Sequence, residues 1–303
     1  MNGEKMNAIE IRNLNKNFGS KQAVCGLNMT VPMGSIYGFI GENGSGKSTT
    51  EKMICGLQHP SGGSISLFGK ENTDPNVRAK IGVLIEQPGC YPNYSVWNNM
   101  MFHAANLGIA HPQEEVAKIL KTVRMEGAAS NKFQNCSLGM KQRIGIAMAL
   151  LGHPALLVLD EPINGLDADG MRIMREVLVD ITKDGSCSVL ISSHILSELE
   201  KVATHYGIIR HGKMIREMTA SELEANCRTY FAIRAENMEK TGQNLRTKYD
   251  QVKTDESGML RVYDPVKPEE IVKYLYRNGI PVSELRTEKI SLEDYYLDLM
   301  KEN

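Results

Sequence analysis

A glycine-rich stretch with one lysine and adjacent hydroxyl side chains is the strongest candidate for chemistry in this sequence. It has the spacing G-x-x-x-x-G-K-S and comprises Gly41, Glu42, Asn43, Gly44, Ser45, Gly46, Lys47, Ser48 and Thr49. Glycines let backbone N–H groups turn toward an anion, Lys47 neutralises β- and γ-phosphates, and the Ser48 hydroxyl is placed for Mg²⁺. The stretch therefore predicts a loop that binds nucleotide phosphates.

The segments on either side of this loop support the same interpretation. The apolar run Ile36–Ile40 before it is typical of a strand, and the residues after Thr49 follow a helical pattern. A helix N-terminus adds partial positive charge where the phosphates would lie. A flexible turn is the alternative, and the order strand, loop, helix argues against it.

Two adjacent acids, Asp160 and Glu161, follow a continuous apolar run at residues 155–159. Such a run is typical of a strand buried on both faces of a parallel sheet. At the end of that strand, Asp160 is expected to share Mg²⁺ with Ser48, and Glu161 to orient or deprotonate a water. Alone, the two acids would as readily cap a helix or turn, so this interpretation depends on the phosphate loop upstream.

Two further side chains are candidates on position alone. His194 follows the buried-strand pattern at residues 188–191 and can hydrogen-bond a γ-phosphate, although a lone histidine there is more often structural. Phe18 is expected in a turn ahead of a set of β-prone segments. It either stacks on an adenine ring or packs in the core, and its position does not decide between these.

The composition indicates a globular chain without a strong charge. Its 303 residues are 42% hydrophobic and carry a formal net charge of −1. A large buried core is therefore expected. Non-specific binding to nucleic acid or anionic lipid is not expected, because the net charge is close to zero. The 6 cysteines are spread through the chain without a C-x-x-C pair, which favours free thiols over disulfides or a metal site.

The order of apolar segments predicts two domains. Residues 1–220 should form an α/β phosphate-loop NTPase domain, with a parallel sheet, an antiparallel β layer and a helical subdomain at about 93–150. Residues 221–303 read as β-α-β-β-α-β, the order of a small ferredoxin-like α+β domain. Ser291 and Asp294 open a last helix with a capping signal.

The segment Ser137-Leu138-Gly139-Met140-Lys141-Gln142-Arg143 resembles the signature motif of ATP-binding cassette (ABC) proteins, and the resemblance covers roughly residues 7–218. The other motifs follow in that family's order. They are the adenine-stacking aromatic Phe18, the Q-loop pair Glu86-Gln87, the D-loop Asn164-Gly165-Leu166-Asp167 and the switch histidine His194. The resemblance implies an ATPase that uses ATP and Mg²⁺, with Glu161 and His194 as catalytic residues.

The same resemblance implies a dimer, most simply of identical chains. Two cassettes sandwich two ATP molecules, each held by one subunit's phosphate loop and the other's signature. Ser137 and Gly139 open a helix in this sequence, and a helix N-terminus is a suitable partner for a phosphate bound across an interface. These two residues are therefore expected to bind the nucleotide of the second subunit.

Two departures from the family pattern indicate a narrower branch of the family. The signature usually reads L-S-G-G-Q, whereas Cys136, Leu138 and Met140 stand at three of those positions here. Alignment on the following proline puts Glu86 at the usual glutamine position and Gln87 one step later, so either is a candidate beside Mg²⁺. Both departures are similar to those of ATPase subunits of bacterial bacitracin-resistance and lantibiotic-immunity exporters.

The transporter interpretation requires separate membrane permeases. The sequence has no run of about 20 apolar residues and no apolar secretory segment at its start. We expect a cytoplasmic protein that lies peripherally on the inner face of the cell membrane. The loop at residues 87–97 is where the family docks its permease, with Tyr91, Tyr94 and Trp97 as anchors unless they are buried.

Two alternatives remain at this point. The first is an ABC ATPase without a permease, acting on the ribosome or on DNA. A single cassette without a long charged insertion or a basic stripe argues against it, and no nucleic-acid partner is expected. The second makes the C-terminal unit a sensor of a ligand or RNA, but that unit lacks an aromatic RNA-binding signature.

Overall fold

The computed structural model describes residues 6–227, 229–255 and 257–302. The chain forms two compact units, and the division falls between Ala220 and Ser221. No disulfide joins the 6 cysteines, which all lie within these residues. Within the described residues, no helix combines the length and the apolarity that crossing a bilayer demands.

The first unit alternates strands and helices. Its strands are β1 Asn7–Phe18, β2 Lys21–Pro32, β3 Ile36–Ile40, β4 Gly62–Leu67, β5 Lys70–Glu71, β6 Ile81–Leu84, β7 Leu156–Asp160, β8 Ser188–Ser193, β9 His205–Arg210 and β10 Lys213–Thr219. Its helices are α1 Lys47–Ile54, α2 Pro75–Arg78, α3 Val96–Asn106, α4 Pro112–Thr122, α5 Leu138–Leu150, α6 Ala168–Thr182 and α7 Leu196–Leu199. This alternation produces an α/β fold.

A six-stranded sheet in the order β10-β9-β3-β8-β7-β6 forms the centre of the first unit. Its strands β9, β3, β8, β7 and β6 are parallel to their neighbours, and β10 pairs with β9 as an antiparallel hairpin. Every residue of β3, β7 and β8 is buried, because helices and a second layer cover both faces. The continuous apolar runs in the sequence therefore predicted these strands correctly.

A second sheet, in the antiparallel order β2-β1-β4-β5, packs on the central one. Apolar side chains of both sheets share one core, including Ile9 and Leu27 from the antiparallel layer and Phe39 and Val158 from the central sheet. The sequence suggested that Phe18 lies in a turn ahead of this layer, but this prediction was wrong. Phe18 is the last residue of β1. The polar residues before it hid the strand, which is held by pairing with β2.

Three helices, α3, α4 and α5, lie between β6 and β7 in the chain, which confirms the predicted helical region. Ser95 caps α3 by accepting the N–H of Asn98 at 3.1 Å. Gly108 follows the end of that helix with φ of 69°, a conformation that glycine adopts without strain. Pro112 then occupies the first turn of α4, where its missing N–H costs nothing.

The second unit is built on a four-stranded sheet in the order β12-β13-β11-β14, in which all neighbours are antiparallel. Its elements are β11 Thr229–Ala235, α9 Met238–Lys248, β12 Val252–Thr254, β13 Leu260–Val262, α10 Pro268–Arg277, β14 Val282–Lys289 and α11 Leu292–Glu302, with α8 Ala220–Asn226 at the boundary. The succession β11 to β14 has the expected order β-α-β-β-α-β. Ser291 caps α11 by accepting the N–H of Asp294 at 3.0 Å.

Candidate functional site

The glycine-rich loop connects β3 to α1 at the carboxyl end of the central sheet. Gly46 has φ of 112°, a conformation that L residues rarely adopt. A Cβ atom at this position would lie 2.7 Å from the carbonyl oxygen of Ala23, and one at Gly41 would lie 2.5 Å from that of Ile209. Both glycines are therefore required by space, and the backbone can turn its N–H groups toward a ligand.

Lys47 is the first residue of α1 and only 5% exposed. Its Nζ donates to the carbonyl oxygens of Gly41 at 2.6 Å and Glu42 at 3.2 Å. The same Nζ lies 3.5 Å from Oε1 of Glu161. A buried ammonium group held this way is prepared for an anionic partner, because burial strengthens the attraction between opposite charges.

Asp160 and Glu161 point differently although they are adjacent. Asp160 ends β7 and accepts a hydrogen bond from Oγ of Ser192 at 2.8 Å. The backbone N–H of Glu161 donates to that same Oγ at 3.1 Å, and Glu161 has φ of 51°. This left-handed backbone turns the second carboxylate away from the first, so the two acids can serve different atoms of a ligand.

The Glu161 carboxylate joins three elements of the site. Its Oε2 lies 2.7 Å from Nδ1 of His194, which follows β8, while Oε1 faces Lys47. Because Glu161 also borders the cleft beside the loop, its carboxylate can accept a proton from a water bound there. The structure therefore brings both predicted catalytic residues, Glu161 and His194, to one place.

A cleft of about 440 Å³ opens beside the loop, and it contains most of the predicted nucleotide-binding residues. Its lining consists of Phe18, Lys21, Ala23, Asn43, Gly44, Gly46, Lys47, Ser48, Thr49, Asp160, Glu161 and Asn164. Ser48 and Asp160 thus face the same space, and hydroxyl and carboxylate oxygens are the ligands that Mg²⁺ prefers. The donor set fits a nucleotide with its magnesium ion.

The other predicted loop residues, Gly41 and Ser45, lie outside the cleft lining. Ser45 is 5% exposed, and its Oγ has no hydrogen-bond partner among the described residues. Gly41 is buried beneath the loop, where it supplies the carbonyl oxygen that Lys47 binds. Gly41 therefore supports the loop from behind.

Ser137 and Gly139 also lie outside the cleft lining, at the start of α5. The Ser137 side chain caps the helix by accepting the N–H of Met140 at 3.3 Å. Ser137 is exposed and Gly139 partly exposed, so this helix start is open to a further molecule. Leu138 beside it packs toward Gly165 of the D-loop, since a Cβ on Gly165 would lie 2.9 Å from Leu138 Cδ2.

The Q-loop residues Glu86 and Gln87 do not line the cleft. Glu86 is exposed with φ of 66°, and its Oε1 accepts a hydrogen bond from Lys52 Nζ at 2.8 Å. That hydrogen bond lowers the pKa of the Glu86 carboxyl. In this conformation Glu86 serves an ion pair with the phosphate-loop helix, and a metal-binding role for either residue remains a prediction.

An aromatic cluster is exposed at the edge of the helical region. Tyr91, Tyr94 and Phe102 are 60%, 49% and 40% exposed. Their ring centroids lie 5.3 to 5.9 Å apart in edge-to-face arrangements. Trp97, which the sequence grouped with the two tyrosines, is partly buried and absent from these contacts. The third ring of the cluster is Phe102. It lies one helical turn after the exposed Asn98, and therefore on the exposed side of α3.

Several residues of the site were not indicated by the sequence alone. Lys21 and Ala23 line the cleft. The short turn that places Lys21 opposite Phe18 is the signal that would have found Lys21. Glu51 is fully buried in α1, four residues after Lys47 and hence on the same helix face. Burial, and next the negative charge of Asp160, raise the pKa of the Glu51 carboxyl well above its usual value.

Comparisons with known proteins agree with this geometry. Residues 24–164 match the family described as "ABC transporter". The chain is 36% identical to the bacitracin transport ATP-binding protein BcrA of Bacillus licheniformis over 96% of its length and 97% of that protein. It is 40% identical to the lantibiotic transport ATP-binding protein SrtF of Streptococcus pyogenes, over 69% of this chain and 90% of that one.

A solved structure extends the likeness to three dimensions. The fold superposes on CbiO1 of Clostridium perfringens, part of the ABC transporter complex CbiONQ, with a TM-score of 0.67. The sequences are 25% identical, and the match covers 80% of this chain and 97% of the other. With the cleft, the loop and similarity over nearly the whole length, the chain belongs to the ATP-binding, ATP-hydrolysing proteins of ABC transporters.

Proposed function

We propose that this chain energises a bacterial exporter that gives resistance or immunity to antimicrobial peptides. The relatives named for bacitracin and lantibiotic transport support this substrate class. The bacitracin relative matches both units of this chain, whereas the lantibiotic relative matches 69% of it. The contact of Glu161 with both His194 and Lys47 carries the catalytic part of the proposal.

The proposed reaction is hydrolysis of the terminal phosphoanhydride bond of ATP. The loop amides and Lys47 bind the phosphates, and Phe18 stacks on the adenine. Ser48 and Asp160 would hold Mg²⁺, which would neutralise phosphate charge, and Glu86 or Gln87 is a further candidate for its binding. A water oxygen attacks the γ-phosphorus while Glu161 accepts its proton, the bond to the bridging oxygen breaks, and ADP and phosphate leave.

His194 has two tasks in this scheme. Its ring holds the Glu161 carboxylate at 2.7 Å and can reach the γ-phosphate when nucleotide is bound. The exposed start of α5 suits a second copy of the chain, whose nucleotide Ser137 and Gly139 would bind. We therefore propose a homodimer in which each site is completed by the partner's signature segment.

The exposed aromatic cluster is the proposed contact for the membrane permease. Large rigid side chains at the centre of an interface contribute most of its binding energy, and Tyr91, Tyr94 and Phe102 form such a group. Bound there, the chain would lie peripherally at the inner face of the cell membrane, within the cytoplasm. Nucleotide-driven closure of the dimer would then move the permease.

Deletion of this chain from its native cell tests the proposal. The deletion should lower the bacitracin or lantibiotic concentration that stops growth, the intact gene should restore it, and Glu161→Gln at equal abundance should not. Growth that is unchanged with both peptide classes would contradict the substrate class.

A pull-down in mild detergent tests the partner. It should recover an integral membrane protein with the chain, and Tyr94→Ala should reduce that recovery. Tyr276→Ala, at an 85% exposed tyrosine of the second unit, is the matched control. Recovery of ribosomes or DNA without a membrane protein would contradict the transporter assignment.

A further inference from the structure

Lys21 occupies a defined place at the base end of the cleft. It begins β2 and lies directly opposite Phe18, the last residue of β1. Residues directly opposite in an antiparallel pair point to the same face, as do residues two apart in one strand. Phe18 and Lys21 therefore share a face. Ala23 lies where the pairing of β2 with β1 is shifted by one residue, and all three residues line the cleft. Gln22 is not among the lining residues, and its Nε2 donates to Oδ1 of Asn15 at 3.5 Å.

The same strand passes the phosphate loop. The carbonyl oxygen of Ala23 would lie 2.7 Å from a Cβ on Gly46, so Ala23 marks the phosphate end of the cleft. Lys21 lies two residues before Ala23 in the strand, directly opposite Phe18. Between a base on Phe18 and terminal phosphates at Lys47, a nucleotide has its ribose and α-phosphate.

Among the charged side chains that the structure describes in the cleft lining, Lys21 is the one available to the ribose and α-phosphate of a nucleotide. Among the described residues that line the cleft, Lys21 and Lys47 are the two cations. Lys47 contacts the loop carbonyls and Glu161, at the end of the cleft where the terminal phosphates are proposed to bind. The nearby Lys16 donates to the carbonyl oxygen of His59 at 2.7 Å. In the part of the chain that the structure describes, no carboxylate pairs with Lys21.

We propose that Lys21 is a nucleotide-binding residue whose ammonium group pairs with the α-phosphate. This inference rests on the ATP binding described above and adds a contact outside the phosphate loop. The contact is with a charge that ATP, ADP and AMP share, so it contributes equally to all three. Because Lys21 is exposed, solvent and salt screen it, and its effect is modest.

Competition binding with four ligands tests this inference on the full chain. Lys21→Gln should weaken ATP, ADP and AMP by the same factor, about two- to fivefold at low ionic strength, and leave adenosine unchanged. Lys21→Arg should restore affinity. The double variant Lys21→Gln/Gln22→Lys keeps the net charge but moves the lysine to a position outside the cleft lining, so it should bind like Lys21→Gln.

Several results would overturn the assignment. Unchanged affinity for all nucleotides would remove Lys21 from the site. A loss confined to ATP, or to ATP and ADP, would assign the lysine to the γ- or β-phosphate, and an equal loss with adenosine would assign it to the ribose or base. Restoration by the double variant would reduce the effect to net charge. ATP binding by the unaltered chain, and hence the proposed function, stands in each case.

Discussion

Oε2 of Glu161 lies 2.7 Å from Nδ1 of His194, across the ends of two neighbouring parallel strands. The contact joins a residue that follows β7 to one that follows β8. Each residue is the first after its strand, so the pairing of β7 with β8 brings the two positions close together. The catalytic carboxylate is therefore oriented by the central sheet.

Replacing Glu161 by glutamine should separate ATP binding from hydrolysis. The amide keeps the shape of the side chain but cannot accept the proton of water, so phosphate release should fall about 10²- to 10⁴-fold. ATP affinity should stay within about threefold, because the loop and Lys47 remain intact. Equilibrium binding and a phosphate-release assay measure the two quantities. Full turnover in this variant would remove Glu161 from the proposed chemistry.

Lys47→Ala should weaken nucleotide binding itself. A charge-assisted hydrogen bond contributes about 1.5–3 kcal/mol, so the dissociation constant for ATP should rise roughly 10- to 100-fold. Lys52→Ala is the matched control, since Lys52 is on the same helix but pairs with Glu86. Calorimetric titration with ATP measures both variants. Equal losses would show that charge anywhere on α1, and not the position of Lys47, sets the affinity.

Ser137→Arg should block ATP-driven dimerisation. The bulky side chain would fill the exposed start of α5, where the partner's nucleotide is proposed to bind, while the chain's own cleft is untouched. Sedimentation with ATP, in the Glu161→Gln background to prevent turnover, measures the dimer. Gln134→Arg places the same side chain at a nearby exposed position and should dimerise normally. Dimers of Ser137→Arg at wild-type strength would count against the shared site.

Glu51 should make the stability of the first unit fall as pH rises. Its folded pKa is raised above the ordinary value, so between the two pKa values the folded chain keeps a proton that the unfolded chain has lost. The free energy of unfolding then decreases with pH by up to about 1.4 kcal/mol per pH unit. Below the unfolded pKa, both states are protonated and the effect vanishes.

Glu51→Gln and Glu51→Leu both remove this proton and should flatten the dependence. Their stability relative to wild type should grow as the pH rises above the ordinary pKa of a glutamate. Urea unfolding in the presence of a chelator, followed by the fluorescence of Trp97, the 1 tryptophan of the chain, reports the first unit. Parallel pH profiles of wild type and Glu51→Gln would show that Glu51 is not protonated in the folded chain.

Much of the central sheet was predictable because its physics is local. Strands buried on both faces must be largely apolar, and the runs that end at Ile40 and Leu159 are. The phosphate loop was predictable because anion binding by backbone requires glycines at fixed spacing. The close approach of Ala23 to Gly46 explains why a glycine is needed at position 46. This contact joins residues that are too far apart in sequence to belong to one short motif.

The remaining features depend on pairing between distant segments. The extension of β1 to Phe18 follows from its register with β2, not from an apolar pattern. Likewise, the ion pair of Glu86 with Lys52 and the burial of Glu51 arise where separate elements meet. Hydrophobic periodicity describes one segment at a time. It therefore identified neither Lys52 as the partner of Glu86 nor Lys21 as a residue of the cleft.

The Ser192 hydroxyl gives the two acids of the site different identities. It has a single hydrogen, which goes to Asp160, and its oxygen accepts the N–H of Glu161. Two carboxylates of nearly identical chemistry are thus told apart by the direction of one hydrogen on a neighbouring strand. Asp160 gives part of its accepting capacity to that hydroxyl, while the Glu161 side chain is left to His194 and Lys47. The division of labour between adjacent acids is encoded outside both of them.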